Sequence, residues 1–268
     1  MKQSFLLLTL AIFLFNCKNE TKKEIEVITD YKNEKLDVTT SIYPETLTKI
    51  FDAHGGIDLW NQMKSLEFTM PKPDGNEVTL TNLKTREALI THPDFKLGHD
   101  GSQTWFVNNT DGEYKGYDPK YYYNLMFYFY AMPFVFGDDG INISDAEPLT
   151  FEGETYPGIK FTYESGVGET PEDQYIVYYN PETYVMEWLG YTVNFIPNID
   201  TKELHFRKYS KWQNVNGILL PAEMVRYKYK NNLPTEPMGT TEFIDVKLTK
   251  QAIPKTTFKA PENATIVE

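Results

Sequence analysis

The spacing of apolar residues changes along the chain, and the change separates a predicted helix from a long series of strands. Within residues 42–63, apolar residues recur at helical spacing, and three of them share one face with a histidine. That face consists of Leu47, Ile50, Phe51 and His54. Pro44 suits the first helical position, and Gly55-Gly56 predicts the end of the helix. From Ser65 onward the period is two, which predicts β-strands.

Turn residues separate the strand candidates in the manner of hairpins. Pro73-Asp74-Gly75 and Asn216-Gly217 are examples of such turns. The candidates are 66–70, 78–91, 95–98, 103–108, 149–153, 159–164, 174–179, 185–195, 204–213, 218–230 and 242–249. We therefore expect a mainly β domain, built as a curled antiparallel sheet or unclosed β-barrel of about 10–11 strands behind an N-terminal helix.

A segment rich in aromatic residues interrupts the strands. Of the twenty residues 117–136, ten are aromatic. Asp118 and Pro119 suit the N-cap and the first turn of a helix, and Pro133 closes the segment, so we expect a central helical insert that is apolar on most sides. Its side chains either fill the core or form a lid that lines a ligand cavity. The candidate cavity residues are Met126, Phe127, Phe129, Met132, Phe134 and Phe136.

The single cysteine, Cys17, directly follows a short apolar run. Lys2 and the apolar residues 5–15 have the form of an export signal, and the run is too short for a membrane span. The polar, charged residues that follow predict a flexible tether. A cysteine directly behind such a run resembles a bacterial lipoprotein signal, and on that resemblance we divide the chain into a signal peptide (1–16), a lipidated Cys17 with its tether (17–40) and one domain (41–268). The alternative for Cys17 is a free thiol behind an ordinary secretory signal.

The net charge excludes one class of partner. The chain has 26 basic and 38 acidic side chains and a formal charge of −12. Such a surface repels nucleic acid, and because the charge is spread along the chain it favours solubility. We expect a monomer without a nucleic-acid partner, a metal or a cofactor.

Polar residues that could carry catalysis have simpler explanations. His54 lies at the predicted C-terminus of the first helix, where the helix dipole favours a protonated imidazole. We expect this side chain to cap the helix. His92, Asp94, His99 and Asp100 are expected to be solvated in a turn rather than to bind a metal. The acid pairs Glu152/Glu154 and Glu172/Asp173 lie beside turn residues and are expected to be surface charges rather than a glycosidase pair. No catalytic residue is predicted.

Two arginines require a separate explanation. If Asn216-Gly217 is a two-residue hairpin turn, Arg207 faces Arg226 across the strand pair. Like charges directly opposite each other are unfavourable unless an anion lies between them. The pair either contacts an anionic head group, or it is neutralised by Glu203, Glu223 or Asp245, or a bulge shifts the register.

The order of these elements resembles the lipoprotein-sorting carriers of the LolA/LolB type. The resemblance lies in the helix that ends at His54-Gly55-Gly56, in Trp105, in the 173–188 hairpin and in the 212–221 hairpin with its Trp, Gly and Pro. The whole chain is also similar to an uncharacterised family of Gram-negative lipoproteins. The resemblance implies an unclosed barrel that holds acyl chains, with Trp105 near the cavity. It implies that Cys17 carries lipid, and that no residue is catalytic.

The leading hypothesis is a non-catalytic lipoprotein of the cell envelope, anchored through Cys17 to the outer membrane on its periplasmic or surface side. It would bind a lipid or an acylated protein. Two alternatives remain open. One is a glycan-binding module or glycosidase that uses aromatic rings as stacking platforms, and the other is an envelope protein that only docks a partner.

Overall fold

The computed structural model describes residues 41–164, 172–194 and 202–267. The predicted signal peptide, Cys17 and the tether lie outside these residues. The described chain contains fourteen strands and three α-helices, and the strands form two unclosed seven-stranded sheets. The prediction of a mainly β, unclosed antiparallel fold is confirmed. The strands are more numerous than predicted, and they form two sheets rather than one.

The helices occupy the places that the sequence indicates. The three α-helices are α1 (Glu45–Ala53), α2 (Ile57–Gln62) and α3 (Pro119–Tyr130). Short 3-10 helices span Phe134–Gly137 and Lys255–Phe258. No helix in the described ranges is long and apolar enough to cross a membrane.

The first sheet contains the early strands and is completed at both edges by late ones. Its order is β13-β1-β2-β3-β4-β5-β14, and all its neighbours are antiparallel. The strands are β1 (Ser65–Met70), β2 (Glu77–Asn82), β3 (Ala88–His92), β4 (Phe95–His99), β5 (Thr104–Asn108), β13 (Ile244–Thr249) and β14 (Thr265–Val267). The candidate at 78–91 is therefore two strands, β2 and β3, joined by a tight turn in which Arg86 has a φ of 62°.

The second sheet is a simple meander. Its order is β12-β11-β10-β9-β8-β7-β6. The strands are β6 (Ile141–Phe151), β7 (Glu154–Tyr163), β8 (Tyr175–Tyr179), β9 (Met186–Tyr191), β10 (His205–Val215), β11 (Ile218–Lys230) and β12 (Leu233–Glu242). Side chains alternate between its two faces, so Leu189 joins the main core whereas Trp188 joins a smaller cluster on the opposite face.

The end of α1 is fixed to the second sheet through His54. This imidazole is fully buried, its Nδ1 donates to the Ile50 carbonyl at 2.7 Å, and its Nε2 accepts from the Met186 amide at 3.4 Å. Burial lowers the pKa of His54 to about 4. The expectation of a protonated cap is therefore wrong, because the side chain is a neutral part of the core at neutral pH.

The next residue shows how closely α1 approaches the second sheet. Gly55 has a φ of 106°, and a Cβ atom at this position would lie 2.2 Å from the Gly217 carbonyl oxygen in the β10–β11 turn. The Leu219 amide donates to the His54 carbonyl at 2.8 Å across the same contact. Only glycine suits this position, since a side chain would meet both the left-handed backbone and the neighbouring turn.

Helix α3 lies where both sheets can cover it. Asp118 caps the helix by accepting from the Lys120 amide at 2.8 Å, as predicted. The helix packs against β3, β4 and β5 of the first sheet. From the second sheet, the Tyr209 hydroxyl donates to the Phe129 carbonyl at 2.7 Å. Most of the α3 surface is therefore buried, as the apolar residues around it require.

Candidate functional site

A cavity of about 300 Å³ lies between one face of α3 and the first strands of the second sheet. Most of its helical wall comes from Tyr121, Asn124, Leu125 and Tyr128, which are spaced i, i+3, i+4 and i+7 on α3, and Tyr123 and Phe129 of the same helix also line it. The other walls include Val135, Ile141, Tyr163 and Tyr175. This volume is at the lower end of the range for small-molecule sites, and the walls are mostly aromatic or aliphatic.

The tyrosines of the cavity wall are neutral hydrogen-bonding groups. Burial raises the pKa of Tyr121 to about 12 and also raises the pKa values of Tyr163 and Tyr175. At neutral pH each therefore carries its hydroxyl proton. The wall can hold an apolar group against the rings and still bond a polar atom at the hydroxyls.

One end of the cavity is polar. The Arg86 guanidinium forms an ion pair with Asp138 and lies 5.0 Å from the centre of the Phe127 ring. Burial raises the pKa of Asp138, and the positive charge of Arg86 partly offsets that effect. Arg86 Nη1 and Asn124 Oδ1 are buried and have no hydrogen-bond partner among the described residues. Such atoms favour a ligand that brings its own polar group.

Of the six predicted residues in the aromatic segment, only Phe129 lines this cavity. The others, Met126, Phe127, Met132, Phe134 and Phe136, belong to the packed core. Phe136 stacks on Phe161 at 3.9 Å between ring centres, for example. Both alternatives that the sequence leaves open therefore apply to this segment. Most of its side chains fill the core, and part of α3 lines the cavity.

Trp105 lies away from the cavity. Its Nε1 donates to the Phe258 carbonyl at 2.8 Å, beneath the C-terminal segment that covers the first sheet. Gly98 on the neighbouring strand gives the indole its space, since a Cβ there would lie 2.3 Å from the ring. Trp105 thus fixes the C-terminal segment and does not line the cavity described above.

The two arginines of the β10–β11 hairpin face each other as predicted. Arg207 pairs with Arg226, and the turn at Asn216-Gly217 has the two-residue form. The Arg207 guanidinium lies 4.2 Å from the centre of the Phe129 ring, which places it next to the cavity wall. Its Nε is buried without a hydrogen-bond partner in the described part of the chain.

The carboxylate nearest in sequence does not neutralise this pair. Glu223 bonds Lys211 Nζ at 2.7 Å and the Ser210 hydroxyl at 2.7 Å instead. Among the described residues, no ion pair with a carboxylate forms at either Arg207 or Arg226. The two arginines therefore lie directly opposite each other on neighbouring strands, without an ion pair to a described carboxylate, in a chain of net negative charge.

Asp173 and His92, which the sequence predicts to be solvated, are buried in the structure. Asp173 is buried and accepts from the Asn194 amide at 2.9 Å and from the Asn194 side chain at 2.7 Å, so it stabilises a turn. His92 is also buried. His99 stacks on Tyr123 at 4.4 Å between ring centres. No group of three or more His, Cys, Asp or Glu residues in the described ranges is arranged to hold a metal ion.

These features define a mainly β domain with an aromatic cavity beside a helix. Residues 115–235, which include α3 and most of the second sheet, match the profile of a family of unknown function, DUF6503. This match confirms the predicted resemblance to a family without an assigned activity. No curated protein matches the sequence.

Solved structures with a similar course of the chain include the following three. A LolA superfamily protein from Nitrosomonas europaea is 10% identical, with a TM-score of 0.46 over 79% of this chain and 96% of its own. A DUF1329 family protein from Desulfovibrio piger is 9% identical, with a TM-score of 0.48 over 81% and 98%. The lipoprotein LppX from Mycobacterium tuberculosis is 10% identical, with a TM-score of 0.25 over 56% and 90%. These likenesses identify no ligand.

Proposed function

We propose that this protein is a non-catalytic carrier or acceptor that binds the apolar part of an acylated molecule in the aromatic cavity beside α3. The ligand would be a lipid or an acylated protein. Binding would need no covalent step and no cofactor, because the transfer of an alkyl chain between apolar surfaces is driven by the removal of apolar area from water.

The cavity is the observation that carries this proposal. Its walls are rings and aliphatic side chains from α3, β6, β7 and β8, and each methylene of a ligand buried against them contributes about 0.8 kcal/mol.

Arg207 and Arg226 support a head-group contact beside the cavity. Arg207 lies over Phe129, and Phe129 lines the cavity wall. A carboxylate or phosphate between the two guanidinium groups would relieve their mutual repulsion and would accept from the unpartnered Arg207 Nε. The apolar chain and the anionic group of one ligand would then occupy adjoining places.

The membrane anchor is proposed from the sequence. A thiol directly behind an export signal suits acylation, and two or more acyl chains hold a protein at a bilayer almost irreversibly. Residues 17–40 would then link the anchor to the domain, which would keep the cavity close to the envelope membrane from which a ligand could be taken or to which it could be delivered.

Native mass spectrometry tests the cavity directly. The mature chain with Cys17→Ala, purified without detergent, should carry lipid or exchange added dodecanoic acid in a one-to-one complex. Ile141→Trp should block binding, because Ile141 lines the cavity. Ile143→Trp is the matched control, since Ile143 lies two residues along the same strand, is partly buried in the same core and does not line the cavity.

The outcomes separate clearly. Bare wild-type protein that never exchanges added dodecanoic acid would refute the carrier proposal. Equal binding by the two tryptophan variants would show that any bound lipid lies elsewhere. The double variant Arg207→Gln with Arg226→Gln should still bind a neutral dodecyl chain. It should no longer prefer dodecanoic acid, which is anionic, over that neutral ligand.

A further inference from the structure

A second cavity, of about 470 Å³, lies at the first sheet, and the proposed function makes no use of it. Its described lining residues do not overlap with those of the aromatic cavity. They come from the β1–β2 loop, the β3–β4 turn, the segment after β5 and the first turns of α3. The wall combines carboxylates, a buried imidazole and aromatic rings.

Close packing of two loops brings the polar groups of this cavity together. Gly75 in the β1–β2 loop has a φ of 135°, and a Cβ atom there would lie 2.5 Å from the Pro93 ring in the β3–β4 turn. Any other residue at Gly75 would separate the loops. This contact places Asp74, which precedes Gly75, beside His92, which precedes Pro93.

His92 presents a ring nitrogen, Nε2, that makes no hydrogen bond to the described residues although a carboxylate lies near it. Its side chain is only 3% exposed, and its ring stacks on Phe95 at 5.1 Å between centres. Nδ1 accepts from the Asp94 amide at 3.2 Å, so the proton of the neutral ring belongs on Nε2. Nε2 lies 3.5 Å from Asp74 Oδ1, and it has no hydrogen-bond partner among the described residues.

The surrounding carboxylates differ in how far they are already engaged. Glu77 is buried, bonds Lys72 Nζ at 2.5 Å and accepts from the Tyr122 hydroxyl at 2.8 Å, so it belongs to the framework of the cavity. The side chains of Asp74 and Asp94 are 65% and 53% exposed. They can turn toward a ligand and accept hydrogen bonds from it.

An exposed ring completes the set. Tyr117 is 49% exposed, and one face of its ring stacks on Tyr122 with 5.7 Å between centres and an interplanar angle of 11°. The stacked pair holds the ring in place, so the opposite face can act as a platform for a flat apolar surface.

We propose that this second cavity binds a neutral carbohydrate. A sugar hydroxyl both donates and accepts, so one hydroxyl can accept from His92 Nε2 and donate to Asp74, which swings outward to admit it. The aliphatic face of the sugar ring would lie on Tyr117. The lining includes four carboxylates (Asp74, Glu77, Asp94, Glu113) against two ammonium groups (Lys72, Lys115), so uronic and other acidic sugars are disfavoured.

Saturation-transfer NMR tests this site on the mature chain with Cys17→Ala. The probes are maltose, cellobiose and N,N′-diacetylchitobiose, with glucuronic acid as the acidic comparison. We expect at least one neutral disaccharide to bind and glucuronic acid not to bind. Tyr117→Ala should weaken binding about fivefold through loss of the ring. Asp74→Ala should weaken it about tenfold, because a hydrogen bond to a charged acceptor is lost.

The matched control is Tyr179→Ala, which removes one ring of another stacked tyrosine pair, Tyr179 and Tyr184, at 5.5 Å and 12° on the second sheet. It should leave sugar binding unchanged. Absence of saturation transfer to all three disaccharides would overturn the proposal. Unchanged sugar binding in each of the two single variants, Tyr117→Ala and Asp74→Ala, would also overturn it. So would binding of glucuronic acid with an affinity equal to that of a neutral sugar. None of these bears on the lipid cavity, whose test is separate.

Discussion

The buried imidazole of His54 predicts a specific loss of stability in mild acid. In the folded chain its pKa is about 4, because protonation would place a charge in the core and a second N–H against the Met186 amide. In the unfolded chain it takes a value near 6.5. Between these values the unfolded state binds more protons than the folded state, so stability falls as the pH falls.

The magnitude follows from the two pKa values. Their difference corresponds to about 3 kcal/mol of stability that is fully present above pH 6.5 and is lost as the pH falls through 4. Between pH 7 and pH 4.5 we expect His54 alone to remove about 2 kcal/mol from the free energy of unfolding. Carboxylates also titrate in this range, so the measurement needs a variant that differs only at this position.

Urea unfolding followed by tryptophan fluorescence, on the wild type and on His54→Gln, provides that comparison. The variant should be less stable at pH 7, because it loses the Ile50 bond and the ring contact with Trp212 at 4.7 Å. The gap between the two proteins should then narrow by about 2 kcal/mol at pH 4.5. A gap that stays constant would refute the reasoning, and so would an NMR titration of the imidazole with a midpoint above pH 6.

Two further predictions concern Gly55 and Cys17. Gly55→Ala should lower the free energy of unfolding by more than about 2 kcal/mol, measured by urea unfolding, because the new methyl group meets the Gly217 carbonyl. Gly153→Ala, also at positive φ but with nothing near its Cβ, should cost less, and equal losses would contradict the steric account. Cys17→Ala should move the protein from the membrane to the soluble fraction of cells, and unchanged membrane partition would count against lipidation.

The sequence predicts the elements that have strong local signals. The helix before Gly55-Gly56 and the capped helix after Asp118 begin and end within a residue or two of the prediction. The facing of Arg207 and Arg226 follows from a two-residue turn, since turn length fixes register in a hairpin. These features depend on neighbouring residues, which is why one sequence suffices to predict them.

Strands without a periodic pattern are missed. β12 contains Pro234 and Pro237 and has few apolar residues, but it is tolerated because it lies at the edge of the second sheet. β14 is three residues long and exists as a strand because it pairs with β5. Neither β12 nor β14 has a periodic pattern of its own, so each is identified as a strand only by its pairing with another strand.

The cavity lining illustrates a different limit. Aromatic density predicts a cavity lining within the whole segment 117–136, whereas most of the α3 residues that line the cavity lie on one face of the helix, where tyrosines and Asn124 make the surface less apolar. The i, i+3, i+4, i+7 spacing of Tyr121, Asn124, Leu125 and Tyr128 is a signal that a helical projection would have revealed. Arg86 has no such local signal. Its partners, Asp138 and Phe127, are far from it in sequence and contact it only in the folded chain.

The pairing of the first sheet has a consequence for how the chain acquires its structure. β1 to β5 are adjacent in sequence, but β13 and β14 complete the two edges of that sheet, and both come from the last part of the chain. β1 to β5 therefore form a sheet with two open edges until β13 and β14 pair with it. Because pairs between strands far apart in sequence form slowly, we expect the edges of β1 and β5 to be unpaired in partly folded chains, where such edges are sites of aggregation.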